Sequence, residues 1–119
     1  MNAFEYAKYA LTLFSDYDFV RSVEIQLLDE PIVKIKAHTG SAAFINIFYN
    51  AETLKYSFAL IGNSTRIFGI DNAITWHLHP FDNPESHVEI SDGTIKMFLD
   101  MLVSNKDKWY MNNIKNNLL

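Results

Sequence analysis

The sequence predicts an α+β domain built from an N-terminal helix, a five-stranded antiparallel meander sheet and one or two C-terminal helices. Three observations lead to this fold class. An apolar stripe at helical spacing opens the chain, five β-rich segments follow it, and the turns between those segments are too short for the crossovers that parallel strands need. With 119 residues, 49% hydrophobic side chains and 20% charged ones, the chain has the length and composition of one globular domain, residues 1–119.

The first predicted element is an amphipathic helix over residues 3–15. Asn2 and Glu5 have the spacing of a capping box, which marks the start of a helix. Apolar residues then recur at helical intervals, so one face of this helix needs a surface to cover. These residues are Phe4, Ala7, Leu11 and Phe14.

Five β-rich segments supply that surface, and turn-like residues separate them. In KIKAHTG, Lys34 and Lys36 alternate with apolar side chains, which is typical of a sheet with one face in water. The segments AAFINIFY and YSFALI are apolar on both alternations, so we expect them at the centre of the sheet, with aromatic side chains such as Phe44 and Phe48 in the core. The predicted strands are Phe19 to Leu28, Ile32 to Thr39, Ala42 to Tyr49, Lys55 to Ile61 and Thr65 to Asp71.

Helical spacing returns towards the C-terminus. Ser91 can cap a helix with one apolar face. The segment Lys106 to Leu119 keeps apolar side chains at a spacing of four and predicts a second, weaker helix. The apolar face of the first of these helices consists of Ile95, Phe98, Leu99, Leu102 and Val103.

Composition excludes several classes of function. The chain has no cysteine, so disulfides and thiolate zinc sites are not available to it. Its net charge of −4 argues against a broad, nonspecific phosphate-binding surface. No apolar run approaches the roughly 18 to 20 residues that span a bilayer, and MNAFEYAKYALTLF does not resemble a secretory signal. We therefore expect a cytoplasmic protein without a membrane partner.

The candidate site lies in the stretch WHLHPFDNPESHVEI, which holds three of the four histidines. His77 and His79 are two apart, so in an extended segment both project from one face, and His87 can fold back as a third ligand after the two prolines. This H-x-H-x7-H pattern suits zinc or another divalent metal such as manganese, with a carboxylate as a further ligand or as the group that orients a histidine. The candidate carboxylates are Asp71, Asp82, Glu85 and Glu89. The alternative is that these are exposed or carboxylate-bonded loop histidines, with Trp76 anchoring the loop to the core.

Residues before the loop are further candidates. Asp71 ends the last predicted strand, where it could orient a histidine by accepting its ring N–H, although Asp-Asn is also common turn chemistry. Asn72 and Trp76 are candidate binding residues beside it. Arg66 could clamp a phosphate or carboxylate, or could form a surface ion pair. Asp71 is thus a candidate catalytic residue with His77, His79 and His87.

The order of these features resembles the TumE family of toxins from two-gene toxin–antitoxin systems. Members share a strand ending in Asp-Asn-Ala or similar, then histidines and a Pro/His-rich loop before the last helix. Here the matching segments are RIFGIDNA and HLHPFDNPESH, in which Asp71 and Asn72 match the family's Asp-Asn and the three histidines correspond to its histidine cluster. The family's loop tends to contain adjacent histidines, whereas this one has HLH and a separate His87. The resemblance implies a cytoplasmic toxin with nuclease-like activity, neutralised by a cognate antitoxin protein.

Three functions remain open from the sequence. The first is a TumE-like toxin whose Asp71 and histidine cluster cleaves phosphodiester bonds by acid/base or metal-assisted chemistry, with nucleic acid as substrate and phosphate contacts from Lys106, Lys108 and Lys115. The second is a noncatalytic protein-interaction module, and the third is a metal-dependent enzyme acting on a small molecule. The sequence also allows a homodimer.

Overall fold

A computed structural model describes residues 1–28 and 30–110 of the chain. Two helices, α1 (Ala3–Phe14) and α2 (Ile95–Ser104), pack on one seven-stranded antiparallel sheet whose strands follow chain order. The α+β class and the meander are therefore confirmed. The strands are β1 (Val20–Leu28), β2 (Ile32–Thr39), β3 (Phe44–Asn50), β4 (Lys55–Gly62), β5 (Thr65–Asp71), β6 (His77–His79) and β7 (Val88–Glu89).

The predicted strand count of five was too low, because two short strands extend the sheet beyond β5. β6 pairs with residues 69–71 of β5, and β7 pairs with the first two residues of β6. Strands of three and two residues are too short to show an alternating pattern in the sequence. The histidine-rich segment is consequently part of the sheet and not only a loop.

Helix α1 begins as the capping box predicts. The Asn2 side chain accepts from the backbone N–H of Glu5 at 2.8 Å, and the Glu5 carboxylate accepts from the N–H of Asn2 at 2.9 Å. Its buried face differs from the predicted one, since Phe4 and Leu11 are 60% and 42% exposed. Small alanines let the helix lie close to the sheet, and the Tyr6 ring stacks at 4.1 Å on Tyr49. The buried residues of α1 are Ala3, Tyr6, Ala7, Ala10 and Phe14.

The sheet has two unlike faces, because side chains alternate along each strand. One face carries fully buried residues such as Ile47 and Phe58 and is covered by the helices, as the contact of Phe58 with Phe98 of α2 shows. The opposite face, here called the open face, has no helix or strand over β1–β4 in the described part of the chain. Phe44 and Phe48 lie half-buried on this open face, so their prediction as core residues was wrong. They alternate with the buried residues of β3.

Helix α2 starts later than predicted. Its cap is Thr94, whose side chain accepts from the N–H of Met97 at 3.1 Å, and not Ser91. The chain stays out of the helix through Gly93, which packs against Ile70 and the Trp76 ring. The predicted apolar face is buried except for Val103, which is 49% exposed.

A second C-terminal helical segment follows at residues 106–110. Trp109 is fully buried, and its indole N–H donates to the carbonyl of Leu102 at 2.9 Å. The rest of the helix predicted from Lys106 to Leu119 lies outside the described residues. Throughout residues 1–28 and 30–110, no helix has the length and apolar character needed to cross a membrane.

The close packing around Gly93 predicts that a larger residue at this position lowers the stability of the protein. A Cβ at this position would lie 2.8 Å from both Ile70 and Trp76, two side chains with little room to move. We expect Gly93→Ala to lower the free energy of unfolding by about 1–3 kcal/mol through overpacking. Urea unfolding measures this, with Gly69→Ala as the matched control.

At Gly69 the closest atom to an added Cβ is Cδ of Arg66, at 2.9 Å, and this side chain can rotate away. The loss of stability should therefore be smaller for Gly69→Ala than for Gly93→Ala. Equal losses, or none at Gly93, would contradict the packing described.

Candidate functional site

Strands β5 and β6 bring Asp71 and two histidines together on the open face. Directly paired residues of antiparallel strands point to the same side, and the pairs here are Gly69 with His79 and Asp71 with His77. The two carboxylate oxygens of Asp71 lie 3.2 Å from Nε2 of His77 and 3.2 Å from Nε2 of His79. Asp71 also accepts from the N–H of Ala73 at 3.0 Å, which is the turn chemistry that its sequence allows.

His87 joins this pair from the loop after β6. Two turns, closed by the N–H of Asn83 to Pro80 and of Ser86 to Asn83, reverse the chain before it. The His87 ring stacks on His77 with centroids 4.6 Å apart and meets His79 edge-on at the same distance. One ring nitrogen from each of the three histidines lies within 4.8 Å of the others. The chain folds back before His87, as expected from the sequence, and the three imidazoles form one cluster.

Backbone carbonyls orient the two strand histidines. Nδ1 of His77 lies 2.9 Å from the carbonyl oxygen of Thr75, and Nδ1 of His79 lies 3.0 Å from that of Pro84. A carbonyl oxygen only accepts, so each Nδ1 carries the hydrogen and donates it. In the neutral imidazoles Nε2 is then the atom with the free lone pair, and it faces Asp71. Metal-binding histidines are commonly held by this same contact to a carbonyl.

Burial keeps His79 in the neutral form. The pKa of His79 is lowered below its ordinary value of 6.5, first by burial and then by the positive charge of Arg66, against smaller opposing contributions from Asp71 and Pro84. His79 is 2% exposed and His77 is 8% exposed. Nε2 of His79 lies 3.2 Å from Oδ2 of Asp71, a distance at which a proton or a metal ion can join the two atoms.

The separations agree with metal coordination. In a tetrahedral site with ligands at 2.0–2.1 Å, neighbouring ligand atoms lie about 3.3–3.4 Å apart, and each strand histidine lies 3.2 Å from its own oxygen of Asp71, Oδ1 for His77 and Oδ2 for His79. The 4.8 Å spread of the histidine nitrogens has to shrink by at most about 1.5 Å to reach the same geometry. His87 is exposed and can supply this movement. Three imidazoles with one carboxylate suit zinc or manganese.

A strand irregularity brings Arg66 to the cluster. The register of β4 with β5 shifts between Leu60 and Ile61, so that Arg66 and not Ile67 pairs with Ile61. The Arg66 side chain then runs over Gly69, where a Cβ would lie 2.9 Å from its Cδ and 3.6 Å from Cδ2 of His79. Gly69 therefore makes room for the arginine beside the histidines.

These groups line an open cleft of about 520 Å³. Of the carboxylates considered from the sequence as ligands, Asp71 and Glu89 line the cleft, whereas Asp82 lies 3.5 Å from Lys108 outside it. Arg66 is exposed and makes no hydrogen bond or ion pair with any described residue. The cleft thus offers a histidine cluster, two carboxylates and an available guanidinium.

Two predicted binding residues lie elsewhere. The Asn72 amide accepts from the N–H of Tyr56 at 2.8 Å and donates to the carbonyl of Leu54 at 3.0 Å, so it anchors the turn before β4. Trp76 packs on the helix-covered face against Tyr56, with ring centroids 5.6 Å apart. Both line a separate cavity of about 420 Å³ next to the start of α2.

The basic residues predicted to contact phosphate also lie away from the cleft. Lys106 is 3.7 Å from Asp18, and Lys108 is 3.5 Å from Asp82. Lys115 lies outside the described residues. Sequence reasoning overlooked Gly69, although a glycine inside a strand is a known sign of close approach by another group. The carbonyls of Thr75 and Pro84 leave no sequence signal.

The lowered pKa of His79 predicts a pH dependence of stability. The unfolded chain binds a proton at His79 near pH 6.5, whereas the folded chain resists it, so the unfolded state holds more protons in this window. We expect the free energy of unfolding of the metal-free protein to fall as the pH drops through 6.5 towards the lower folded value. Urea unfolding across this range, with a chelator present, measures the slope.

His79→Gln should flatten that slope, because the variant has no titrating group at this position. His38→Gln is the matched control, since His38 lies outside the cleft and pairs with Glu24. Identical slopes for the two variants would show that His79 does not cause the dependence.

Comparisons of the chain with protein-family models, with curated proteins and with solved structures found no match. The resemblance to the TumE family therefore stays a prediction, and function has to be inferred from the geometry of the cleft.

Proposed function

We propose that this protein is a metal-dependent phosphodiesterase, acting as the toxin of a TumE-like toxin–antitoxin pair. The divalent ion, zinc or manganese, would be held by His77, His79 and His87 together with Asp71. One observation carries the proposal: both strand histidines donate Nδ1–H to backbone carbonyls and turn Nε2 towards Asp71, with His87 close to both rings.

The residues in and around the cluster would have different roles in catalysis. Asp71 and the three histidines would hold the divalent ion, which would lower the pKa of a water and polarise a phosphoryl oxygen. Arg66 can bind a phosphate through two parallel N–H groups. Glu89, which pairs with His77 across β6 and β7 and lines the cleft, can accept the proton of the attacking water.

Phosphate esters fit the cleft better than neutral small molecules. Arg66 is exposed beside His79 and has no carboxylate partner among the described residues, so it can meet an anion from solvent. The cleft is also open to solvent, so a substrate can enter it from outside. These features support phosphodiester cleavage over the small-molecule enzyme.

The biological role rests on the resemblance. A strand ending in Asp-Asn-Ala, followed by histidines and a Pro/His-rich loop, is shared with TumE-like toxins, and Asp71 and the three histidines meet in the cleft. The implied partner is a cognate antitoxin that blocks a cytoplasmic nuclease. The noncatalytic interaction module remains the second candidate, and the experiments below separate the two.

Metal binding is the first test. We expect the purified, chelator-stripped chain to bind about one equivalent of zinc or manganese, measured by titration calorimetry and by elemental analysis after gel filtration. His87→Ala should weaken binding by roughly 100-fold or more, because one of three imidazoles is lost. His87 is exposed, so this variant should fold.

His38→Ala is the matched control and should bind metal as the unmodified chain does, since His38 lies outside the cluster. Circular dichroism confirms folding of both variants. Equal affinity of all three proteins, or no binding at all, would refute the metal centre.

Toxicity is the second test. Tightly controlled induction in a bacterial host should arrest growth with the unmodified chain but not with His87→Ala or with the triple variant His77→Ala/His79→Ala/His87→Ala. His38→Ala should arrest growth like the unmodified chain. Arrest by every variant, or by none, would remove the link between the cleft and a toxin.

A further inference from the structure

The open face carries two continuous rows of side chains that end at the histidine cleft. Strand pairing sets the rows, because directly opposed residues share a face. Between Lys36 on β2 and His79 on β6 lie four inter-strand gaps of about 4.8 Å, so the path is about 19 Å long. One row is Glu24, Lys36, Asn46, Ala59, Gly69 and His79, and the other is Gln26, Lys34, Phe48, Ser57, Asp71 and His77.

A groove follows the first part of these rows. It has a volume of about 600 Å³ and is lined by residues of β1–β4, Lys34, Lys36 and Phe48 among them. Small side chains, Ser57 and Ala59 on β4 and Gly69 on β5, form the floor between this groove and the histidine cleft. The two rows themselves place no bulky side chain between the two spaces, and the Arg66 side chain, which runs over Gly69, is exposed and would contact an extended chain lying across both.

The charges along the path favour a polyanion. Its cations, Lys34, Lys36 and Arg66, make no ion pair with any residue in the described ranges. Of its carboxylates, Glu24 pairs with His38, Asp71 contacts His77 and His79, and Glu89 lines the histidine cleft. The three cations can therefore meet the phosphates of a strand that lies along the path.

Phe48 supplies a surface for stacking. It is half-buried on the open face, opposite Lys34 on β2 and Ser57 on β4. The neighbouring Phe44 ring is covered by the ammonium group of Lys36, 4.2 Å from its centroid. Phe48 is therefore flanked by a lysine and a small residue, a combination with which sheets bind unpaired bases.

We propose that the open face binds single-stranded nucleic acid, with the phosphates on Lys34, Lys36 and Arg66, a base on Phe48, and the strand running into the histidine cleft. The cleavage of that strand rests on the proposed function, but its binding does not. Double-stranded nucleic acid is disfavoured, because its bases are stacked inside the helix and cannot lie on Phe48. An acidic peptide or a second copy of the chain would contact the lysines without needing the aromatic ring.

Fluorescence anisotropy tests the binding step alone. Labelled single-stranded RNA and DNA of about 12 nucleotides are titrated with the full chain in the presence of a chelator, so that metal-dependent cleavage cannot occur. A hairpin duplex of matched composition and a poly-glutamate peptide are the comparison ligands. We expect single strands to bind more tightly than both, with an affinity that falls as salt rises.

Substitutions on the open face and away from it show where the strand binds. Lys34→Ala/Lys36→Ala and Phe48→Ala should each weaken strand binding by roughly tenfold or more. Lys106→Ala/Lys108→Ala removes the same charge away from the cleft and should bind like the unmodified chain. Phe48→Leu keeps an apolar side chain without the ring and should also bind weakly, which separates stacking from loss of folding.

The outcomes distinguish this inference from the proposed function. Strand binding without any metal-dependent cleavage would leave the inference standing and refute the phosphodiesterase. Equal affinity of the Lys34→Ala/Lys36→Ala variant and the unmodified chain would overturn the inference even if cleavage were observed. Preference for the poly-glutamate peptide, self-association that depends on Lys34 and Lys36, or no binding to any single strand would overturn it as well.

Discussion

The pairing of β6 onto β5 is the constraint on which the candidate site depends. Because Asp71 pairs with His77 and Gly69 with His79, the two imidazoles and the carboxylate share the open face, while Leu78 points to the helices. A slip of one residue would turn Leu78 towards the cleft and both histidines into the core. The buried partners of Leu78 thus hold the register that assembles the site.

Contacts with the backbone also hold the two strand histidines in their orientation. Carbonyls of Thr75 and Pro84 accept the Nδ1 hydrogens, and burial opposes protonation of His79. Each contact between Asp71 and a strand histidine needs a cation, either a proton or a metal ion, between the carboxylate oxygen and the ring nitrogen. The proposed metal centre supplies one ion for both contacts.

Features with a regular repeat along the chain could be predicted from the sequence. The helical period of the first segment, the alternation in KIKAHTG and the two-residue spacing of His77 and His79 all reflect regular geometry, and the structure has the corresponding helix and strands, although α1 buries a different face from the predicted one. Other features depend on irregular or distant contacts. The bulge that turns Arg66 onto the open face, the space left by Gly69 and the carbonyl partners of the histidines arise from pairing between strands, which a linear pattern does not encode. Phe44 and Phe48 were misplaced for a related reason: apolar residues on both alternations are typical of a buried strand, but this sheet is covered on one face only.

The position of the cluster at the edge of the sheet has a consequence for its dynamics. β6 has three residues and β7 has two, so few backbone hydrogen bonds fasten the histidines, and such marginal ladders open more readily than the central strands. A ligand that binds only the closed arrangement stabilises it by mass action. The amide hydrogens of β6 and β7 would therefore exchange with solvent more slowly as the free concentration of the ligand rises. The ion or strand bound in the cleft would thus also stabilise this edge of the sheet.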